Sequence, residues 1–389
     1  EGVTATAANY AVNVAATAAN AVVTITDSNL TGLCVVNVAA ANADVTVEGT
    51  TLTCNDTNEA ENYAALTLNV DGKDATITAT GCTFDIKGES VKATVGAEGG
   101  SITIDGTTDG VEQSVAVIKY ANGTAYTFSS LAGAVEYAKA GDTVTLISNV
   151  ELSEILTINK AITLDGNGHT ITSSATRAIN VELDGKVTIK DLTIVGGKDC
   201  QRAINIINQP AHVVVDNVTA TGNFIYAVQV ATSAGAAKVE ITDSDLTGMN
   251  VVNVAGENAF VTVDKTTLTV VDNSESEGYA ALAIYYTAEN AVIKATNTTI
   301  NITGEHTDDT IVAIAAAQGS NITIDGSSDE VLFAEAYIEY DGNTALAFDT
   351  LEEAVEYAKA GDTVTLLRDV TLSAILTINK AITLDGNGY

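Results

Sequence analysis

Short alternations of apolar and polar residues recur along this 389-residue chain. Cores of the form Val-x-Ile or Val-x-Val return about every 22 to 31 residues, and each is followed by Asp, Asn or Thr and then by an apolar–Thr pair. A second short alternation lies within each repeat. This period of two predicts strands with one apolar and one polar face. In the central part of the chain the cores are at 187–189, 213–215, 239–241, 261–263, 292–293 and 322–324.

A repeat of this length cannot bury its own apolar face, but it can do so by stacking on the next repeat. The architecture that fits is all-β, a right-handed parallel β-helix in which each coil adds ~4.8 Å along the axis. Its inward side chains would form aliphatic ladders, while Thr, Lys and Glu between them face water. The alternative is an array of immunoglobulin-like sandwiches, which would need turn signals every ~8–12 residues and long antiparallel hairpins.

A longer repeat is superimposed on these coils. Residues 131–169 and 351–389 are identical at 31 of 39 positions. Leu131, Ala134, Val135 and Ala138 follow the helical period, which predicts a short α-helix over 131–140. The turn signal at 120–124, repeated at 340–344, predicts a hairpin over 115–128. We expect the helix to cap the open end of a coil stack, where an uncovered sheet edge would invite aggregation.

The longer repeat divides the chain into modules. Residues 1–110 align with 217–330, so the chain is predicted to open within one module and to end soon after another begins. The predicted divisions are 1–113, the C-terminal part of a first module; 114–333, a complete module; and 334–389, the start of a third. Because Glu1 is not an initiating methionine, we expect an excised or processed segment of a longer protein.

Composition and charge narrow the choice of partners. Fifty acidic and 17 basic residues give a net charge of −33, which argues against nucleic acid and anionic membrane, since both need cationic patches. No run approaches the ~20 apolar residues of a membrane span, so no membrane insertion is expected. Ca²⁺ stays open as a ligand of the acidic surface, and no other cofactor is predicted. The cysteines lack metal-binding spacing, which favours isolated buried thiols, although a disulfide among Cys34, Cys54 and Cys82 stays open.

Two catalytic arrangements can be composed from the charged residues. Arg202 could meet Asp191 and Asp216 on the coil surface and, with Ca²⁺, abstract a proton. Alternatively, the aspartates that follow successive strand cores could form a stacked acidic site with a nearby His. Turn aspartates that bond to their own backbone explain that pattern more simply. The stacked aspartates are Asp191, Asp216, Asp243 and Asp264.

The histidines do not complete a catalytic motif either. His306 lies close to Asp308 and Asp309 in an irregular stretch, and the other copy of the repeat lacks this cluster. No motif pairs a His with a Ser or Cys nucleophile. We therefore predict that the protein is not an enzyme, with no catalytic and no metal-ligating residues.

Tyrosine is the remaining source of a binding site. Sugar sites usually display aromatic rings as stacking platforms, and tyrosine combines an apolar ring with a polar hydroxyl. Four tyrosines form the predicted ligand-binding face, namely Tyr226, Tyr279, Tyr285 and Tyr286. The long corners at 271–279 and 304–310 are a second place for a ligand.

The string from the hairpin through LxxAVEYAKAGDTVTL to ILTINKAITLDGNG resembles the opening of pectate-lyase-like right-handed β-helix modules. Such modules are repeated in large surface and adhesin-like proteins of Gram-positive anaerobes, and the resemblance covers essentially the whole chain. It implies the fold and an extracellular location on the bacterial cell surface. It does not imply one activity, because β-helices carry lyases, hydrolases, adhesins and spacers alike.

The resulting expectation is a non-catalytic cell-surface repeat protein that acts as a stiff stalk and adhesin. Its expected partner is a glycan or glycoprotein of a host or a neighbouring cell, and modules are expected to make head-to-tail contacts. Three alternatives stay open: a polysaccharide lyase or hydrolase on acidic glycans, a module that binds immunoglobulin or another host protein, and a self-assembling filament.

Overall fold

The computed structural model describes residues 1–55, 63–88, 90–121, 125–272, 279–305, 311–340 and 344–389. The cluster at 306–309 and the hairpin turns at 122–124 and 341–343 lie outside the described residues. The chain divides into two compact units. Unit 1 contains Glu1–Ala138 and Thr143–Asn149, and unit 2 contains Lys139–Asp142 and Val150–Tyr389.

Unit 1 is a stack of coils in which the chain visits three parallel sheets in the order A, B, C. Sheet A contains Thr4–Thr6, Asn29–Gly32, Thr51–Asn55 and Thr83–Lys87. Sheet B contains Val12–Val14, Val36–Val38, Ala64–Leu68, Val91–Val95 and Val111–Gln113. Sheet C contains Val22–Thr26, Asp44–Glu48, Thr76–Thr80 and Ser101–Ile104. Neighbouring strands come from successive coils, which confirms the predicted all-β parallel β-helix.

Unit 2 repeats this plan. Sheet B contains Leu156–Ile158, Arg177–Val181, Arg202–Ile206, Tyr226–Val230, Val252–Val254, Ala280–Ile284, Ile311–Ala315 and Val331–Phe333. Sheet C contains Thr163–Asp165, Lys238–Thr242, Phe260–Asp264, Val292–Thr296 and Asn321–Ile324. Sheet A contains Val150–Leu152, Thr170–Ser173, Asp245–Gly248, Thr267–Asp272 and Thr299–Gly304. Two long strands, Lys186–Gly196 and His212–Gly222, run through both of these sheets.

The core of each unit consists of aliphatic ladders along the stack. In unit 2, Ile189, Val215, Ile241 and Val263 occupy one register position on four successive coils. All four are fully buried. Burying a side chain of this size contributes about 1.5–3 kcal/mol, so each added coil is stabilised by covering the coil before it.

A ladder of carboxamides accompanies the aliphatic ladders in sheet B. In unit 2 the Nδ2 of Asn205 donates to the Oδ1 of Asn180 at 3.0 Å, and Asn205 is only 1% exposed. In unit 1 the Nδ2 of Asn37 donates to the Oδ1 of Asn13 at 2.8 Å. Buried polar groups need such partners, because desolvation without a hydrogen bond is costly.

The backbone conformation at the corners of the coils explains why Asn and Asp follow the strands in the sequence. Asp243 lies between sheets C and A with φ 48°, and Asn258 lies between sheets B and C with φ 55°. Both residue types tolerate this left-handed conformation. The Asp243 N–H donates to the Asp264 carbonyl at 3.2 Å, and the Asn258 N–H donates to the Glu289 carbonyl at 2.8 Å. Corner bonds of this kind connect each coil to the next.

A hairpin and a short helix accompany the coils of each unit. In unit 1 the hairpin strand Ala116–Lys119 pairs with Ala125–Phe128 on one side and with Thr143–Leu146 on the other, and helix α1 is Leu131–Tyr137. In unit 2 the corresponding hairpin strands are Ala336–Tyr340 and Thr344–Phe348, the third strand is Thr363–Leu366, and helix α2 is Leu351–Tyr357. The strand Thr383–Asp385 pairs in parallel with Thr363–Leu366.

Helix α1 has the predicted apolar stripe but is shorter than predicted. Leu131, Ala134 and Val135 are buried, and the Ser130 Oγ accepts a hydrogen bond from the Gly133 N–H at 3.1 Å. The helix ends at Tyr137, because Ala138 has an extended ψ of 145°. By its contacts α1 belongs to unit 1, although by sequence it begins the repeat at 114–333. Among the described residues, no helix has the length and apolar character needed to cross a membrane.

Candidate functional site

Unit 1 contains a cleft of about 390 Å³ where the hairpin and α1 face sheet B. We call it the aromatic cleft. Five aromatic residues line it, namely Tyr10, Tyr63, Tyr126, Phe128 and Tyr137. Its volume lies near the lower end of the range of about 300–1,000 Å³ that small-molecule sites occupy.

The strands and α1 position these rings. Tyr10 and Tyr63 each lie just before a strand of sheet B. Tyr126 and Phe128 are two residues apart on one hairpin strand, so both point to the same face. Tyr137, at the end of α1, places its ring centroid 5.3 Å from each of those two rings. Tyr10 and Tyr137 are each 42% exposed, so a ligand can reach them from solvent.

Neutral polar side chains line the opposite wall. Asn37, Thr67 and Thr94 occupy one register position on three successive strands of sheet B. Such strands are spaced by ~4.8 Å, which sets the separation of these donors and acceptors. Asn69 and Thr127 also line the cleft, the former just after a strand of sheet B and the latter on the hairpin.

The lining of the aromatic cleft is uncharged. None of the described residues that line it is Asp, Glu, His, Lys or Arg. Burial raises the pKa of Tyr10, and negative charge on Cys34 would raise it further, so this phenol stays protonated at neutral pH. The cleft therefore presents ring faces on one side and neutral hydrogen-bonding groups on the other, which suits an uncharged polyhydroxylated ligand.

The four tyrosines predicted from sequence lie in unit 2 and form separate groups. Tyr226 begins a strand of sheet B, with the guanidinium carbon of Arg202 5.4 Å from its ring centroid. Tyr279 precedes the strand Ala280–Ile284, whereas Tyr285 and Tyr286 follow its end. The structure therefore brings Tyr285 and Tyr286 together, with ring centroids 4.6 Å apart, and places Tyr279 at the other end of the strand.

The two copies of the repeat relate these tyrosines to the aromatic cleft. Tyr10 and Tyr63 stand 216 positions before Tyr226 and Tyr279 in the aligned sequences. Sequence reasoning thus found the two tyrosine positions that precede strands of sheet B, but it missed Tyr126, Phe128 and Tyr137. A position-by-position comparison of the two copies would have helped, since it shows small or polar residues in unit 1 where unit 2 has rings.

The candidate catalytic residues bond along the stack. Arg202 donates to the side-chain oxygen of Gln229 in sheet B. Asp191 accepts a hydrogen bond from Lys190 at 2.6 Å, and this hydrogen bond lowers the pKa of Asp191. Asp216 accepts from a threonine one coil further on at 2.8 Å. The contacts of Arg202 and Asp216 therefore link neighbouring coils, whereas the Lys190–Asp191 bond lies within one coil, and none of these contacts joins Arg202 to either aspartate.

Among the described residues, no group of three or more His, Cys, Asp or Glu side chains is arranged to hold a metal ion. No disulfide joins any of the four cysteines, all of which lie in described parts of the chain. Cys54 is fully buried, and its thiol donates to the Leu33 carbonyl.

No protein-family model matches this chain, and neither a curated protein nor a solved structure matches it. The assignment of the fold therefore depends on the pairing of its own strands, which is parallel within sheets A, B and C of both units.

Proposed function

We propose that this chain is part of a non-catalytic, extracellular repeat protein of the pectate-lyase-like β-helix type, on the surface of a Gram-positive bacterium. The coil stacks serve as a stiff stalk, and the aromatic cleft serves as an adhesin site for a glycan or glycoprotein of a host or neighbouring cell. The aromatic cleft is the observation that carries this proposal. The ladders and corner bonds support the stalk, because each coil is held by the next along its whole contour.

The lining supports a neutral sugar as the ligand. A pyranose presents C–H groups on its face and hydroxyls at its edge. The rings of Tyr126 and Tyr137 suit the face, while Asn37, Thr67 and Thr94 suit the hydroxyls. An acidic sugar is disfavoured, because the described residues of the lining include no cation and the chain carries a net charge of −33.

The two copies of the repeat offer a matched pair of variants for the test. Tyr137 in α1 lies 5.3 Å from Phe128 at an interplanar angle of 50°, and Tyr357 in α2 lies 5.3 Å from Phe348 at 48°. The two rings have nearly the same arrangement against their phenylalanine, but only Tyr137 also packs on Tyr126 and lines the aromatic cleft.

A panel of neutral and acidic glycans would first be screened for binding, and the best ligand would then be titrated by calorimetry. We expect Tyr137→Ala to weaken binding roughly two- to tenfold, because an aromatic contact contributes about 0.5–1.5 kcal/mol and 1.4 kcal/mol is tenfold. Tyr357→Ala should bind like the unaltered protein.

Three results would overturn the proposal. One is the absence of binding to any glycan of the panel. Another is an equal loss in Tyr137→Ala and Tyr357→Ala, which would place the ligand elsewhere. The third is the release of unsaturated, ultraviolet-absorbing products from acidic polysaccharide in the presence of Ca²⁺, which would identify a lyase.

A further inference from the structure

The two units have the same backbone arrangement where the coils meet the hairpin. In unit 1 the Asn69 N–H donates to the Val38 carbonyl at 2.8 Å, and in unit 2 the Tyr285 N–H donates to the Val254 carbonyl at 2.7 Å. On the hairpins, Val117 pairs with Thr127 as Tyr337 pairs with Ala347. These contacts establish which residues of the two units are equivalent.

Three equivalent positions differ sharply in size. Unit 1 has Asn69, Val70 and Val117, where unit 2 has Tyr285, Tyr286 and Tyr337. The Tyr286 and Tyr337 rings stack at 4.4 Å with an interplanar angle of 21°, and Tyr285 lies 4.6 Å from Tyr286. Burial raises the pKa of Tyr286, with smaller contributions from Tyr285 and Glu339. The rings therefore occupy the space between the end of a sheet B strand and the hairpin.

Residues around these three positions also become less polar from unit 1 to unit 2. Thr94 of the aromatic cleft is Ile314 in unit 2, and Thr127 is Ala347. In unit 2, Ile314, Ala347, Tyr286 and Tyr337 all pack against one buried apolar cluster. Two polar positions of the cleft in unit 1 are thus apolar in unit 2, as expected where side chains rather than a hydrated ligand cover them.

The contact between hairpin and coil is nevertheless preserved. A Cβ at Gly96 of unit 1 would lie 2.7 Å from the Cγ2 of Thr127, which real structures do not show. Unit 2 has Ala316 at the position of Gly96, and it has the smaller Ala347 at the position of Thr127. The two pairs compensate in size, so the hairpin can approach the coil at this point in both units.

We infer that unit 2 contains the same site in a filled form, with Tyr285, Tyr286 and Tyr337 in the place of the ligand. Asn, Val and Val at these three positions leave the site open, and three tyrosines close it. A repeat of this type can therefore serve either as a binding unit or as a spacer without a change of backbone. The binding part of this inference rests on the proposed function of the aromatic cleft.

Reciprocal exchanges test the inference. The closed variant carries Asn69→Tyr, Val70→Tyr and Val117→Tyr, and we expect it to lose at least tenfold in affinity for the methyl glycoside that the unaltered protein binds best. Its matched control, Val70→Ile with Val117→Ile, adds little volume and should bind normally. Far-UV circular dichroism would show that both remain folded.

The opened variant carries Tyr285→Asn, Tyr286→Val and Tyr337→Val. An apolar cavity takes up xenon, so this variant should show an additional bound-xenon signal by NMR that the unaltered protein lacks. With Leu346→Tyr, Ala283→Thr and Ile314→Thr added, to restore the counterparts of Tyr126, Thr67 and Thr94, calorimetry should count two sugar sites per chain in place of one.

The outcomes separate the two proposals. A folded opened variant with no added xenon signal, or a closed variant that binds sugar normally, would show that the three rings do not occupy the site. If the opened variant takes up xenon but the unaltered protein binds no glycan, the proposed function fails, and unit 2 is filled for packing alone. If the unaltered protein binds sugar and the opened variants gain no second site, the proposed function stands, and the inference is wrong.

Discussion

Gly222 sets the spacing between two coils of unit 2. Its φ is +128°, a value that L side chains rarely adopt. A Cβ there would lie 2.4 Å from the Gly196 carbonyl oxygen, on the preceding coil, whereas real Cβ contacts essentially never fall below 3.0 Å. Gly222→Ala therefore requires the two backbones to separate by about 0.6 Å, the difference between these distances.

The loss of stability caused by Gly222→Ala has two components, backbone strain and weakened hydrogen bonds between the coils. A backbone held in a disfavoured region costs about 1–3 kcal/mol. Separation of the coils would weaken one or two ladder hydrogen bonds, each worth about 0.5–1.5 kcal/mol. We expect Gly222→Ala to lower the free energy of unfolding of unit 2 by about 3–5 kcal/mol. The control is Gly168→Ala, since Gly168 has φ +80° and no heavy atom within 4 Å of its ideal Cβ; it should cost about 1–2 kcal/mol.

Urea unfolding would measure both variants, followed by far-UV circular dichroism because the chain has no tryptophan. Native-state hydrogen exchange of amides in sheet A of unit 2 would show where the stability is lost. If both alanine variants cost the same, backbone strain alone would account for the effect. The close contact with Gly196 would then not set the coil spacing.

Two further substitutions test the polar contacts between coils. Asn205→Ala should destabilise unit 2 by about 1–3 kcal/mol in chemical denaturation, because it leaves the Oδ1 of Asn180 buried without its donor; unchanged stability would contradict a structural role for the ladder. Hydrogen bonds from Lys190 and Asn217 lower the pKa of Asp191 in the folded state. Their contribution to stability is therefore fully present above the unfolded pKa of about 3.9. It is lost as the pH falls through the lower pKa of the folded state. An NMR titration should show this pKa rising in Lys190→Met, and an equal pKa in both proteins would refute the assigned cause.

The fold was predictable because the signal is local and repeated. Val239 and Ile241 alternate with polar residues, and the alternation returns one coil later at Val261 and Val263, so stacking was the natural way to bury them. The end of α1 was less predictable. The sequence predicted a helix as far as residue 140, but the chain leaves the helical conformation at Ala138.

The aromatic cleft was only partly predictable, because its residues are far apart in sequence. Tyr10 and Tyr137 both line it although 127 positions separate them. The tyrosines predicted from sequence include Tyr226 and Tyr279, which are the counterparts of Tyr10 and Tyr63 in the other copy of the repeat. The emptiness of the space beside Tyr63 depends on Asn69 and Thr127, which meet only when the hairpin packs on the coils.

The amino-acid sequence by itself determined that this chain winds into stacked coils, since strands that return every few tens of residues, without the closely spaced turns of a sandwich, cover their apolar face by stacking. It also determined where the left-handed corners lie, because Asn, Asp and Gly tolerate that backbone. Only the tertiary structure decided which repeat has an open cleft. That property is a volume left between side chains on separate elements, and a pattern along one strand does not contain it.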